Sequence, residues 1–93
     1  MVIDGFLYTV ISTATTTTVK STAGMLHSIT VNSKGTVASS ITIYNALTAT
    51  GTPIAIIDSL NLYGTFTFDV YFNTGLTIVT TGTVAPNVTV SYR

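Results

Sequence analysis

The chain has 93 residues, enough for one domain but too few for two separate hydrophobic cores. Charged residues make up only 6% of it, three acids balance three bases, and cysteine is absent. This composition excludes a disulfide framework, a thiolate metal site and attraction to nucleic acid or an anionic membrane by net charge.

Two further features of the sequence bear on its location. No run of about 18 apolar residues is present, so no membrane-spanning helix is predicted. The start, "MVIDGFLYTVISTA", carries Asp4 where a secretory signal would carry positive charge, and Thr9 and Ser12 interrupt its apolar stretch. We therefore expect synthesis in the cytoplasm without export.

The scarcity of charge predicts that other proteins cover part of the surface. Charged residues usually make up about 25% of a soluble domain, and their repulsion helps to keep copies apart. Here threonine, serine and asparagine take their place, as in "ISTATTTTVK" at residues 11–20. The alternative is that these hydroxyl and amide groups hydrate the exterior by themselves.

The residues that dominate the chain favour β-strands over helices. Threonine, valine, isoleucine and the aromatic residues fit a pleated sheet, whereas glutamate is absent and no stretch keeps helical spacing. Short alternating runs that end at turn residues each predict a strand. In chain order, these predicted strands are residues 5–11, 15–20, 25–32, 39–45, 54–58, 65–72, 76–80 and 87–92.

Alternation along the runs predicts which side chains face the core. The predicted inward residues are Phe66, Phe68, Val70 and Phe72 in "TFTFDVYF", Met25, His27, Ile29 and Val31 in "MLHSITVN", Ile41, Ile43 and Asn45 in "SITIYN", and Val88, Val90 and Tyr92 in "NVTVSY". The alternating residues, among them Leu26, Tyr44 and Tyr71, are expected to face outward. In "NSKG", Gly35 is predicted to take a left-handed conformation that closes a hairpin turn.

An apolar face opposite a threonine-rich face is typical of antiparallel sheets with one solvated side. The predicted fold is an all-β, single antiparallel β-sandwich of jelly-roll type over residues 1–93, and the strand order stays open. Within it, "TATTTTVK" predicts an edge strand that only Lys20 protects. Residues 1–23 are interpreted as an N-terminal arm or edge strand used in assembly.

The candidate contact residues for other copies or for a shell lie in this segment and at two tyrosines with amphipathic surfaces. They are Phe6, Tyr8, Val10, Thr15, Thr17, Val19, Tyr44 and Tyr71.

Residues suited to catalysis or metal binding are scarce. His27 is the only histidine and is interpreted as a hydrogen-bonded core or interface residue. The spacing of Asp58 and Asp69 does not support paired catalytic carboxylates. Asp69 is expected to be satisfied by a hydrogen bond or to form a surface ion pair with Arg93 or a lysine. No catalytic, cofactor or metal site is predicted, and an enzyme is disfavoured.

Two stretches, "TVKSTAGMLHSITVNSKGTVASSITIYN" and "FDVYFNTGLTIVTTGTVAPNVTVSYR", resemble the small all-β head decoration (cement) proteins of tailed bacteriophages. The likeness covers about two thirds of the chain and lies mainly in "AGMLHSITVN", "GLTIVTTG" and "VTVSYR". It implies a homotrimer on the outer capsid surface, with the major capsid protein as partner and no active site. The alternative hypothesis is an adhesive or receptor-binding module of a virion fibre or surface appendage that stacks sugars on exposed tyrosines.

Overall fold

A computed structural model describes residues 5–93. Met1 to Asp4 lie outside the described residues, and they include the acid that argues against a secretory signal. Eight strands are present: β1 (Leu7–Ile11), β2 (Thr16–Lys20), β3 (Gly24–Ser33), β4 (Ser40–Tyr44), β5 (Ala55–Ile57), β6 (Gly64–Phe72), β7 (Leu76–Thr81) and β8 (Asn87–Tyr92). All eight predicted strands are confirmed, with bounds within two residues of those expected.

The strands form two four-stranded antiparallel sheets, ordered β1-β8-β3-β6 and β2-β7-β4-β5. We call them sheet A and sheet B. Each strand of the first half of the chain pairs with its counterpart in the second half, β1 with β8, β2 with β7, β3 with β6 and β4 with β5. The chain is thus a long hairpin wrapped into a sandwich, which confirms the jelly-roll prediction and supplies the strand order.

The core lies between the two sheets and is built from their inward side chains. Its buried apolar members are Ile11, Leu26, Ile29, Val31, Ile41, Ile43, Ile57, Phe72, Leu76, Ile78, Val88 and Val90. The inward assignment is confirmed for β4 and β8, and Phe66, Phe68 and Val70 of β6 pack against this core as expected. Asn45, by contrast, follows the end of β4 and is exposed.

The prediction for the first part of β3 is wrong. Leu26, expected to face outward, is fully buried, whereas the His27 side chain is 35% exposed. The register of β3 with both β6 and β8 shifts between Leu26 and Ser28. This β-bulge adds one residue to the alternation, so Leu26 joins Ile29 in the core.

The left-handed conformation predicted for Gly35 is also wrong. Val37 and Ala38 take positive φ values instead, 34° and 62°. Because β3 and β4 belong to different sheets, the connection crosses the sandwich and is not a hairpin. Gly35 is needed there for close packing, since a Cβ atom would lie within 3.0 Å of Ser39 Oγ and of the Val84 carbonyl oxygen.

The connections lie at the two ends of the sandwich. Residues 12–15, 34–39, 58–63 and 82–86 form the four-loop end, and residues 21–23, 45–54 and 73–75 form the three-loop end. Phe6 and Arg93 also lie at the three-loop end, because they flank β1 and β8 there.

Candidate interaction surfaces

The outer side of sheet B is a face of hydroxyl and β-branched side chains without any carboxylate, ammonium, guanidinium or imidazole group. Its rows follow from the strand register, in which Thr16, Val79, Thr42 and Ile56 lie side by side. We call this surface the threonine face. Its outward residues are Thr16, Thr18, Ser40, Thr42, Tyr44, Ile56, Val79 and Thr81. Thr77 shares this side of the sheet but is fully buried.

Several hydroxyl groups of the threonine face are bonded within the protein. Thr18 donates to the Leu47 carbonyl oxygen at 3.0 Å, and Thr77 donates to that of Ala46 at 2.8 Å. Thr81 donates to the Ala38 carbonyl oxygen at 2.9 Å and lies 2.9 Å from Ser40 Oγ. Hydroxyls satisfied in this way have less need of water, so the face is drier than its threonine content suggests.

The predicted edge strand is confirmed as β2, which lies at the edge of sheet B and borders the threonine face. The side chains of β2 alternate in the opposite sense to the predicted contact residues Thr15, Thr17 and Val19. Thr17 lies beside buried Ile78, and Val19 packs against the core. The outward residues of β2 are Thr16 and Thr18. Thr15 precedes the strand, and its amide donates a hydrogen bond to Thr80.

A stacked cluster of four side chains occupies the three-loop end of sheet A. The Phe6 and His27 rings lie parallel, with centroids 4.2 Å apart and planes 9° apart. The Arg93 guanidinium carbon lies 4.6 Å from the Phe6 centroid, and His27 Nδ1 lies 2.5 Å from Asp69 Oδ1. The cluster fastens the segment before β1 to strands β3, β6 and β8.

The bulge explains how His27 and Asp69 meet. Two residues of β6, Phe68 and Asp69, lie opposite His27 alone, and Asp69 takes a left-handed φ of 51°. Aspartate tolerates this conformation better than most residues. Of the two alternatives expected for Asp69, the hydrogen bond is the one observed, and its partner is His27 and not Arg93 or a lysine. Asp58 lies at the four-loop end, away from Asp69.

The four-loop end carries a second group of exposed apolar side chains. They are Val37, Leu60, Leu62, Tyr63 and Val84. Asp58 begins the loop that bears three of them, accepting hydrogen bonds from Asn61 Nδ2 at 2.8 Å and from the Leu60 amide at 3.1 Å. The bond from Asn61 is the main cause that holds the pKa of the Asp58 carboxyl below its ordinary value of 3.8.

The predicted contact residues do not form one patch. Phe6, Tyr8 and Val10 lie together along the β1 edge of sheet A, and Tyr71 lies on the opposite edge strand, β6. Tyr44 is half-buried on the threonine face. The outward threonines of β2 and the apolar loops of the four-loop end were missed, because alternation alone does not tell which of two threonine rows faces out.

The described part of the chain offers no enclosed site for a small ligand. Residues 5–93 contain no pocket and no group of three or more histidine, cysteine or acidic side chains placed to hold a metal ion. Nor does that part contain a helix with the length and apolar character to cross a membrane.

Comparison with known proteins adds no relative. Neither the models of known protein families nor the curated proteins include a match to this chain.

Proposed function

We propose that the protein is a structural virion protein that decorates the outer surface of a phage capsid and stabilises it, binding as a trimer between capsomers. The observation that carries the proposal is the threonine face, an outer surface with no charged residue and with several of its hydroxyl groups bonded within the protein. The resemblance to head decoration proteins supplies the kind of partner, the major capsid protein.

The physical argument concerns the cost of removing water. A charged side chain loses several kcal/mol of hydration when it is buried without a partner, whereas a satisfied hydroxyl or a β-branched methyl group loses little. The threonine face therefore suits contact with a large protein surface. A face without a pocket also suits a protein surface better than a small molecule, which needs a concave site.

Several contacts per assembly would make the attachment strong. When one copy of a trimer is bound, the other two are held close to neighbouring subunits at a high effective concentration. Modest contacts of individual copies thus add up to lasting attachment. The same geometry ties neighbouring capsomers together and opposes their separation.

A matched pair of threonine substitutions tests the assignment of the face. Thr42 lies in the central row of the threonine face, and Thr67 lies on the outer side of sheet A. We expect Thr42→Lys to weaken binding to capsids of the source phage by about a hundredfold or more, because the ammonium group would be desolvated without a counter-charge. Thr67→Lys should bind like the unchanged protein.

The readouts are the number of copies bound per particle and the temperature at which particles release DNA. Equal binding of both variants would show that the threonine face is not the contact. Absence of the unchanged chain from purified particles would reject the decoration function itself. The native mass of the chain tests the trimer separately.

Exposed tyrosines favour a second candidate, an adhesive module that stacks sugars. Tyr8, Tyr63 and Tyr71 are 73%, 66% and 70% exposed, whereas Tyr44 is half-buried. This function predicts saturable glycan binding that Tyr71→Ala weakens. Location also separates the candidates, since many copies spread over the shell support decoration and a few copies at one vertex support adhesion.

A further inference from the structure

We propose that β1 is a self-association edge, and that it pairs in antiparallel fashion with β1 of a second copy about a two-fold axis at Thr9. This pairing would join sheet A of one copy to sheet A of the other. The β1 pairing depends only on the properties of the four sheet edges, and it holds whether or not the protein decorates a capsid.

Three of the four edge strands carry a feature that opposes pairing with another strand. In sheet B, β2 has a register shift between Thr18 and Lys20 and ends in that charged residue, and β5 is only three residues long. In sheet A, β6 has the bulge and the charge of Asp69. Bulges, charges and short length are the usual protections of sheet edges.

β1 has none of these protections. Its five residues pair with β8 in unbroken register, from Leu7 with Tyr92 to Ile11 with Val88. Among residues 5–93, no strand lies on its other side, so one row of backbone donors and acceptors faces outward. Leu7, Tyr8 and Val10 are 60%, 73% and 53% exposed, and the strand contains no charge and no proline.

The sequence of β1, "LYTVI", is complementary to itself in the antiparallel direction. With Thr9 opposite Thr9, each Tyr8 faces Val10 of the other copy on the outer side of the sheet. Leu7 then faces Ile11 on the inner side. Aromatic residues beside β-branched residues and threonine beside threonine are favourable cross-strand pairs.

The charge pattern favours a second copy over an unrelated strand. A charged residue on a partner strand would find no counter-charge among the five residues of β1. The β1 strand of a second copy brings no charged residue to the pairing. Pairing about a two-fold axis also uses both edges at once, so the assembly closes and does not grow into a fibre.

This pairing predicts assemblies with an even number of copies. Alone it gives two copies, and together with the three-fold contact proposed above it gives six. Removing it should halve the native mass in either case. The trimer and the β1 pairing can therefore be judged from the same measurement without being confused.

Two double substitutions at the exposed β1 positions test the proposal. In Tyr8→Lys with Val10→Lys, each cross-strand pair brings two like charges together, and we expect the native mass to halve. In Tyr8→Lys with Val10→Glu, each pair joins opposite charges across the axis, and we expect the unchanged mass. Sedimentation equilibrium measures both, and circular dichroism shows that each variant is folded.

Thr67→Lys on β6 is the matched control, because it places the same charge on an exposed position of the other edge strand of sheet A. It should leave the mass unchanged. The proposal is overturned if the unchanged protein and the double-lysine variant have equal mass, if the lysine and glutamate variant fails to recover the mass, or if Thr67→Lys halves it as well.

Discussion

Gly35 shows how one position can be restricted by its neighbours and not by its own φ angle. It is buried in the connection between β3 and β4, with Ser39 and the Val84 backbone packed around it. Beside it, Ser39 Oγ lies 2.6 Å from Ser59 Oγ, a buried pair that ties this connection to the loop after β5. A side chain at residue 35 would push these groups apart.

We expect Gly35→Ala to lower the free energy of unfolding by about 1–3 kcal/mol, the usual cost of adding atoms to a packed site. Urea unfolding measures the change. Gly5→Ala is the control, since an added Cβ would meet nothing within 4 Å. Equal stability of the two variants would contradict the close packing described here.

The lowered pKa of Asp58 predicts that acid destabilises the folded protein through this carboxyl group. Because its pKa is lowered in the folded protein, chiefly by the hydrogen bond from Asn61, its contribution is present above the ordinary value of 3.8 and is lost as the pH falls through the lower folded value. Melting temperatures measured across that range should therefore fall less for Asp58→Asn than for the unchanged protein. Identical pH profiles would show that this carboxylate does not stabilise the loop.

The bulge in β3 decides the roles of several residues at once. It turns Leu26 inward, turns His27 outward towards Phe6, and brings Asp69 of the neighbouring strand within hydrogen-bond distance. The end of the segment before β1 is held by the resulting stack. Strand β1 thus starts from a fixed point on sheet A.

The two neighbours Met25 and Leu26 test this bulge directly. We expect Leu26→Ala to cost about 2–5 kcal/mol of unfolding free energy, because it empties a fully buried position. Met25→Ala should cost clearly less, since Met25 lies next to exposed Tyr71 outside the core. Chemical denaturation measures both losses of unfolding free energy. A larger loss for Met25→Ala than for Leu26→Ala would contradict the bulge and support simple alternation along β3.

The jelly roll couples the two ends of the described chain. β1 pairs with β8, the last strand, and Ile11 of β1 belongs to the buried core. Such pairing between residues far apart in sequence is slow to form, so folding in milliseconds to seconds is typical of this class. The first strand is therefore part of the domain as well as the proposed contact edge.

Deletion of residues 1–14 should accordingly destabilise the whole protein. It removes β1 and Ile11, exposing Val88 and Val90 of β8 at a new edge. We expect a strong loss of cooperative thermal unfolding, which calorimetry measures. A truncated chain that melts like the intact one would show that residues 5–14 are a detachable arm, and outward point substitutions are the proper test of their contacts.

Local pattern was sufficient to predict the strands and most of the core. Alternation in "TFTFDVYF" and "NVTVSY" predicts the core-facing side chains directly, because successive side chains of a regular strand point to opposite faces of the sheet. Abundant β-branched residues likewise indicated a β-sandwich, and the low charge predicted that other proteins cover part of its surface. The functional proposal itself still depends on the resemblance and on the uncharged threonine face.

The sequence by itself determined the number of strands, their approximate limits and the two-sheet class, since these depend on neighbours along the chain. Only the tertiary structure decided the bulge at His27, the packing role of Gly35, the pairing of Asp69 and the order of strands at the sheet edges. Each of these depends on which distant strand lies alongside, and spacing within one strand carries no information about that partner. The unprotected edge of β1 became visible for the same reason.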